Sequence, residues 1–155
     1  MLISNGNSIT RTIYRFKKTG WGIYIDITGN IVSSVHNEDN NNTRITDGLW
    51  VHLPVRWPDV KYVYYALANI SDEIISASPY KTDTLVNIHK ITIANCDYQA
   101  DGLVPAIYQW VSEALKIDTP EITVTYNKEQ NKYEFSEQPK KQSRMLQEHY
   151  NVWTS

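Results

Sequence analysis

Few side chains in this sequence could do chemistry near neutral pH. There are four histidines, His36, His52, His89 and His149, and one cysteine, Cys96. Histidine transfers protons or binds metal ions, and a thiolate acts as a nucleophile. No two histidines have the spacing that shares one helix face, and a single cysteine forms no paired-thiolate motif. The sequence therefore predicts no metal site and no cofactor.

Asp97 and Asp101 flank the predicted strand-to-helix junction and could be drawn as a general acid and base, and Cys96, followed by Asp97, could separately be a nucleophile. Asp101 is equally explained as the N-cap of a helix, where the positive end of the helix dipole stabilises carboxylates. Free cysteine is among the most buried residue types, so Cys96 is expected to fill space at the end of an apolar strand. The chain has no glycine-rich phosphate loop and no G-x-S-x-G motif. We therefore expect no enzymatic activity.

Alternating apolar and polar residues predict three N-terminal strands, at residues 9–16, 21–27 and 31–36. Turns are predicted at 17–20 and 28–30, so the strands would form an antiparallel meander. The polar residues 37–43 predict a solvated loop. The two prolines within residues 46–59 predict an edge strand or an irregular loop there.

Further strands are predicted at 61–70, 74–78 and 85–95, the last with room for a bulge and with His89 at or near the surface. The main helix is predicted at 101–116, with Asp101 as its N-cap, Pro105 in or near its first turn, and an end before Pro120. Its predicted buried stripe follows the helical i, i+3, i+4 spacing and consists of Val104, Ile107, Tyr108, Val111, Ala114 and Leu115.

Residues 121–126 and 132–135 alternate as a last hairpin, and a short helix is expected after Pro139. These elements predict an α+β fold with about six to eight mostly antiparallel strands and one main helix at 101–116 packed on them. The length and the lack of internal repeats predict a single domain over residues 1–155.

Charge is distributed unevenly along the chain. Residues 1–20 carry four bases and no acid, whereas residues 21–127 hold thirteen acids and six bases. The net charge of −2 argues against direct binding of nucleic acid, and the acidic body could steer towards a basic partner. The lone cysteine indicates a reducing compartment. The sequence shows no signal peptide or membrane-spanning run, so a cytoplasmic location without membrane contact is expected.

The segment from Ile93 to Trp110 joins an apolar strand to the main helix through Asp97-Tyr98-Gln99 and Asp101-Gly102-Leu103. It resembles a strand–turn–helix segment of bacterial immunity proteins from polymorphic-toxin and contact-dependent growth inhibition loci. The likeness extends over residues 91–126. It implies a protein that binds a cognate toxin domain and blocks its active site, the toxin being a nuclease or ribonuclease in many such systems.

The most suitable binding surface in the sequence combines Trp, Arg and acidic residues in a stretch poor in regular structure, because binding energy concentrates on such side chains. The predicted partner-binding residues are His36, Glu38, Asp39, Asp47, Trp50, Arg56, Trp57 and Asp59, with a second acidic tip at Asp72 and Glu73.

Two other functions remain open. Tyrosine-rich strands could pair edge to edge, as in a self-associating structural or adaptor protein of a phage or secretion system. A small enzyme or ligand carrier would need a deep apolar pocket between helix and sheet, lined by His52, His89 or Cys96.

Overall fold

The computed structural model describes residues 8–35, 37, 41–54 and 59–138, and it divides into two compact units, residues 1–117 and 118–155. Each unit is described by itself. That residues 1–155 form a single domain stays a prediction. The N-terminal unit contains a five-stranded mixed sheet with three α-helices, and the C-terminal unit contains a two-stranded sheet. The α+β class is therefore confirmed.

The strands of the N-terminal unit are β1 (Thr10–Lys17), β2 (Gly22–Ser33), β3 (Asn42–Thr46), β4 (Leu49–His52) and β5 (Thr84–Ile93), and its α-helices are α1 (Val60–Asn69), α2 (Ser71–Ala77) and α3 (Leu103–Leu115). Short 3-10 helices at Lys81–Asp83 and Ala100–Gly102 precede β5 and α3. The order across the sheet is β1-β2-β5-β4-β3. All neighbours are antiparallel except β4 and β5, which run parallel.

Strand β2 is continuous, so the turn predicted at 28–30 and the separate third strand at 31–36 are wrong. Gly29 lies inside the strand at a register shift between β2 and β5. A Cβ added to Gly29 would lie 2.5 Å from the backbone oxygen of Asn87. The glycine that looked like a turn signal thus permits a close approach of two strands, which is a common use of glycine in a sheet.

The bulge predicted for the strand at 85–95 is confirmed, and His89 is the extra residue. Ile88 pairs with Gly29 and Lys90 pairs with Thr28, so His89 has no residue opposite it. The bulge exchanges the two faces of β5 along its length, because side chains alternate along a strand and one extra residue reverses the alternation. As a result, Val86, Ile88, Ile91 and Ile93 share one face.

Residues 61–69 belong to α1 and residues 74–77 to α2, so the strands predicted at 61–70 and 74–78 are wrong. The buried apolar side chains of this region are Val63, Ala66, Leu67, Ile70 and Ile74. Their spacing of three and four residues is that of a helix face and not of a strand. The tyrosines between them favour strands in isolation, but tertiary packing outweighs such a preference.

Helix α3 is the predicted main helix, and its buried face is broader than predicted. Ile107, Tyr108 and Val111 are buried as expected, and so are Leu103, Pro105, Ala106 and Trp110. Val104, Ala114 and Leu115 are only half-buried. The predicted cap is wrong, because the N-cap is Gly102 and Asp101 makes no capping hydrogen bond. A Cβ at Gly102 would lie 3.1 Å from Ile23, so this residue brings the start of α3 close to the sheet.

Strands β3 and β4 form a hairpin whose turn is Asp47-Gly48. Gly48 has a φ of +91°, a conformation that favours glycine. Strand β3 begins at Asn42, so the last residues of the loop predicted at 37–43 belong to a strand. Strand β4 lies between β3 and β5 and is not an edge strand, contrary to prediction. It ends before Pro54, where the missing N–H costs nothing.

The C-terminal unit contains the predicted hairpin, formed by β6 (Ile122–Asn127) and β7 (Lys132–Glu137). The two strands are antiparallel, and the rings of Tyr126 and Tyr133 meet edge to face with centroids 5.2 Å apart. Cross-strand aromatic pairs of this kind stabilise a hairpin. The short helix expected after Pro139 lies outside the described residues.

A candidate binding face on the five-stranded sheet

The five-stranded sheet has two faces of different character. Helices α1 and α3 pack on one of them: Thr12 donates a hydrogen bond to Glu113 of α3 (2.6 Å), and the hydroxyls of Thr43 and Tyr64 of α1 are 3.4 Å apart. That face contains the buried residues Ile25, Ile27 and Val86.

The opposite side of the sheet we call the outer face. Strand alternation and register assign to it Arg11, Ile13, Arg15 and Lys17 of β1, Tyr24, Asp26, Thr28, Asn30 and Val32 of β2, Asn42 and Arg44 of β3, Trp50 and His52 of β4, and Leu85, Asn87, His89, Lys90 and Thr92 of β5. Several of these side chains are exposed, among them Arg15, Lys17 and Lys90.

A row of four polar side chains crosses the outer face from strand to strand. Asn42 pairs with His52, His52 with Asn87, and Asn87 with Asn30. Within the row, Nδ1 of His52 lies 3.1 Å from Oδ1 of Asn42, and Nδ2 of Asn87 donates to Oδ1 of Asn30 at 3.1 Å. The row holds amide and imidazole groups in fixed positions, and these groups both donate and accept hydrogen bonds.

His89 joins this row because of the bulge. Its Nε2 lies 3.2 Å from Nδ2 of Asn87 and 3.2 Å from Oδ1 of Asn30. In a regular strand, residues 87 and 89 would lie two positions apart on one face with an ordinary partner opposite each. The extra residue instead places three polar side chains around one point on the outer face.

Cationic side chains dominate the charge of the outer face. Its strand residues include five cations, Arg11, Arg15, Lys17, Arg44 and Lys90, and one anion, Asp26. Arg11 holds Asp26 through an Nη2–Oδ2 contact of 2.7 Å, and this hydrogen bond lowers the pKa of the Asp26 carboxyl and raises the pKa of Arg11. The guanidinium of Arg15 lies 5.2 Å from the centroid of the Tyr24 ring, and Arg44 pairs with Asp47.

Trp50 lies at the other end of the outer face, in register with Arg44 and Leu85. It is half-buried, while Leu85 is fully buried. Trp50 is therefore neither a core residue nor a free surface side chain. A partly exposed tryptophan beside an arginine is a combination enriched at interface hot spots.

The segment around Asp97 serves the fold. Its carboxylate accepts a hydrogen bond from the backbone N–H of Gly22 (2.9 Å), and its carbonyl oxygen accepts one from Tyr24 (2.8 Å). Tyr98 donates to the carboxylate of Asp59 (2.7 Å), so burial and this hydrogen bond raise the pKa of Tyr98. These hydrogen bonds connect the segment that precedes α3 with strand β2 and with the residue before α1.

Asp101 accepts a hydrogen bond from the side-chain amide of Gln99 (2.7 Å). The acids that could have formed a catalytic pair, Asp97 and Asp101, thus each have a local structural partner. Among the described residues, no group of three or more His, Cys, Asp or Glu side chains is arranged to hold a metal ion.

Five of the predicted partner-binding residues lie outside the described residues: His36, Glu38, Asp39, Arg56 and Trp57. The remaining five lie on different elements. Asp47 is in the β3–β4 turn, Trp50 is on β4, Asp59 precedes α1, and Asp72 and Glu73 occupy the first turn of α2. Of these, Trp50 is the one on the outer face.

Cys96 is exposed, so the expectation that it packs in the core is wrong. It lies in a turn closed by a bridge between Ala94 and Asp97. The surface position expected for His89 is confirmed. His52 and His89 both lie on the outer face, which is opposite the helices. They therefore do not line a pocket between helix and sheet, where the hypothesis of a small enzyme or ligand carrier places them.

No protein-family model, no curated protein and no solved structure matches this chain. Each helix of the described part is too short or too polar to cross a lipid bilayer.

Sequence reasoning did not find the polar row or the cationic outer face. The Asp47-Gly48 pair is a strong hairpin signal and could have located β3 and β4. Nothing in the sequence states that β4 pairs with β5, and the row depends on that pairing. The sequence left room for a bulge within residues 85–95, but it did not place that bulge at His89 or show which side chains would then share a face.

Proposed function

We propose that this protein acts by binding a protein partner, as an immunity-type protein that binds and blocks a cognate bacterial toxin domain. The observation that carries the proposal is the outer face of the sheet, with its partly exposed Trp50, its exposed cations and its fixed row of amide and imidazole groups. Such a face offers hydrogen bonds, charge and apolar area together, as interfaces do.

The surroundings of the acidic residues support binding over chemistry. Asp97 and Asp59 hold backbone and tyrosine groups of neighbouring elements, and Asp101 is held by Gln99. A general acid or base must reach a substrate proton, and these carboxylates instead join the fold together. The acids of residues 93–110, the segment that resembles immunity proteins, therefore have a structural role next to the sheet.

Self-association through strand edges is the alternative. Helix α3 packs along the edge strand β1 and bonds to its backbone: the carbonyl of Thr10 accepts a hydrogen bond from the indole N–H of Trp110 (2.9 Å), and that of Ile13 accepts one from the side-chain amide of Gln109 (3.2 Å). Natural sheets protect their edges with such cover. This contact favours a complex with a different protein over pairing of β1 with a second copy.

The experiment is a binding assay with the purified product of the neighbouring gene. We expect a one-to-one complex by calorimetry and loss of the toxin's activity when the complex forms. A neighbouring product that neither binds nor is inhibited would overturn the proposal. A stable homo-oligomer by light scattering, with no hetero-complex, would favour the alternative.

A matched pair of aromatic variants locates the surface. Trp50→Ala removes an aromatic side chain from the outer face, and Tyr65→Ala removes one from α1, where Tyr65 is 55% exposed. We expect the first to weaken the complex by tenfold or more, on the order of a hot-spot residue, and the second to leave it unchanged. Circular dichroism confirms that both variants remain folded.

A further inference from the structure

Charge is segregated within the described part of the N-terminal unit. The strand residues of the outer face include five bases and one acid, while the rest of residues 8–117 that the structure describes includes four bases and eight acids. The net charges of the two groups, +4 and −4, cancel, so neither composition nor net charge reveals the separation. If Asp47, which pairs with Arg44, is counted with the outer face, that face still has five bases and two acids.

We propose that the outer face binds an acidic protein surface that presents clustered carboxylates. The cations of β1 and β5 and the side chains of the polar row contact these carboxylates. This inference rests on the proposed function and reverses the charge predicted for the partner at its contact. Arginine and lysine beside a half-buried hydrogen-bonding row can form charge-assisted hydrogen bonds with carboxylates. Complementary potential also accelerates encounter.

The positions of the cations support a rigid docking surface. Arg11 is anchored by Asp26, and Arg15 by the ring of Tyr24. Side chains held in this way lose less conformational entropy when they bind, because they are already ordered in the free protein. Lys17 and Lys90 are exposed on the same face.

A nucleic acid is the other polyanion that a cationic face attracts, and the structure favours it less. Its backbone carries a charge at every phosphate, so the acid-rich remainder of the unit and the net charge of −2 repel a long strand. The polar row offers both donors and acceptors, which match the mixed groups of a protein surface.

The test uses the full chain and a decaglutamate peptide, titrated at low salt while backbone amide shifts are followed by NMR. We expect shifts on β2 and β5 around Asn30, Asn87 and Lys90, and loss of binding as salt rises. The double variant Arg15→Glu/Lys90→Glu should weaken binding about tenfold or more, because like charges then face each other.

Lys61→Glu is the control, since it makes the same kind of charge reversal at an exposed position on α1. Its affinity for the peptide should stay within twofold of the wild type once overall charge is allowed for. Equal weakening by Lys61→Glu, or shifts confined to the helices, overturns the inference. An oligothymidine of twenty nucleotides that binds the same face more tightly than the peptide also overturns it.

The peptide assay is independent of the toxin. If the neighbouring product fails to bind but the peptide maps to the outer face, the proposed function fails and the acidic-surface inference stands. If the toxin binds and Arg15→Glu/Lys90→Glu leaves its affinity unchanged, the inference fails and the proposed function stands.

Discussion

Gly29 of β2 and Asn87 of β5 approach so closely that any side chain at position 29 would collide with the Asn87 backbone: a Cβ there would lie 2.5 Å from the carbonyl oxygen. The contact lies beside the bulge at His89. It therefore controls both the packing of β5 against β2 and the position of the polar row on the outer face.

We expect Gly29→Ala to lower the free energy of unfolding by about 1–3 kcal/mol, the range typical of overpacking, because a strand backbone must shift to admit the methyl group. Urea denaturation measures the change. Gly20→Ala is the matched control, since a Cβ at Gly20 has nothing within 4 Å and should alter stability by less than about 0.5 kcal/mol. Equal effects of the two substitutions would contradict the proposed strain.

Asp97→Ala removes the acceptor of the Gly22 N–H, a part-buried group. We expect a loss of about 1 kcal/mol in the free energy of unfolding, because an unpaired donor at such a site keeps part of its desolvation cost. Asp97→Asn retains an oxygen acceptor and should cost less. If both variants unfold at the same urea concentration, the hydrogen bond contributes nothing.

Stability should fall at high pH as half-buried tyrosines ionise. Burial raises the pKa of Tyr14 from 10.0 to about 12. The protonated phenol is thus favoured in the folded state, and this contribution is fully present below pH 10 and is lost as pH rises towards 12. Urea midpoints measured at pH 9, 10 and 11 should decline, and less steeply in Tyr14→Phe.

Tyr65→Phe controls for the loss of one tyrosine hydroxyl at an exposed position. Burial and the hydrogen bond to Asp59 also raise the pKa of Tyr98, so Tyr14→Phe should remove only part of the decline. A Tyr14→Phe profile parallel to that of the wild type would show that Tyr14 ionises alike in the folded and unfolded chains.

Cys96 should react with a thiol reagent in the native protein, because it is exposed in the turn between Ala94 and Asp97. Absorbance of the released thionitrobenzoate measures the reaction, and Cys96→Ser supplies the blank. If Cys96 reacts only after denaturant is added, it is buried in the native protein, as its residue type suggests, and the exposed position is wrong.

The sequence determined the elements whose signals are local. The strand at 9–16, the helix at 101–116 and the hairpin at 121–135 are found where alternation, helical spacing and proline placed them. These signals need only a few neighbouring residues to be read, since period two and period 3.6 are properties of the chain itself.

Tertiary structure decided the rest. Helices α1 and α2 replaced the strands predicted at 61–70 and 74–78, because Val63 and Leu67 of α1 and Ile74 of α2 are buried at helical positions, although the tyrosines of α1 favour strands. Gly29 became a strand residue because β5 approaches it. The outer face depends on the pairing of β4 with β5 between segments distant in sequence, and such pairing follows from packing and not from local pattern.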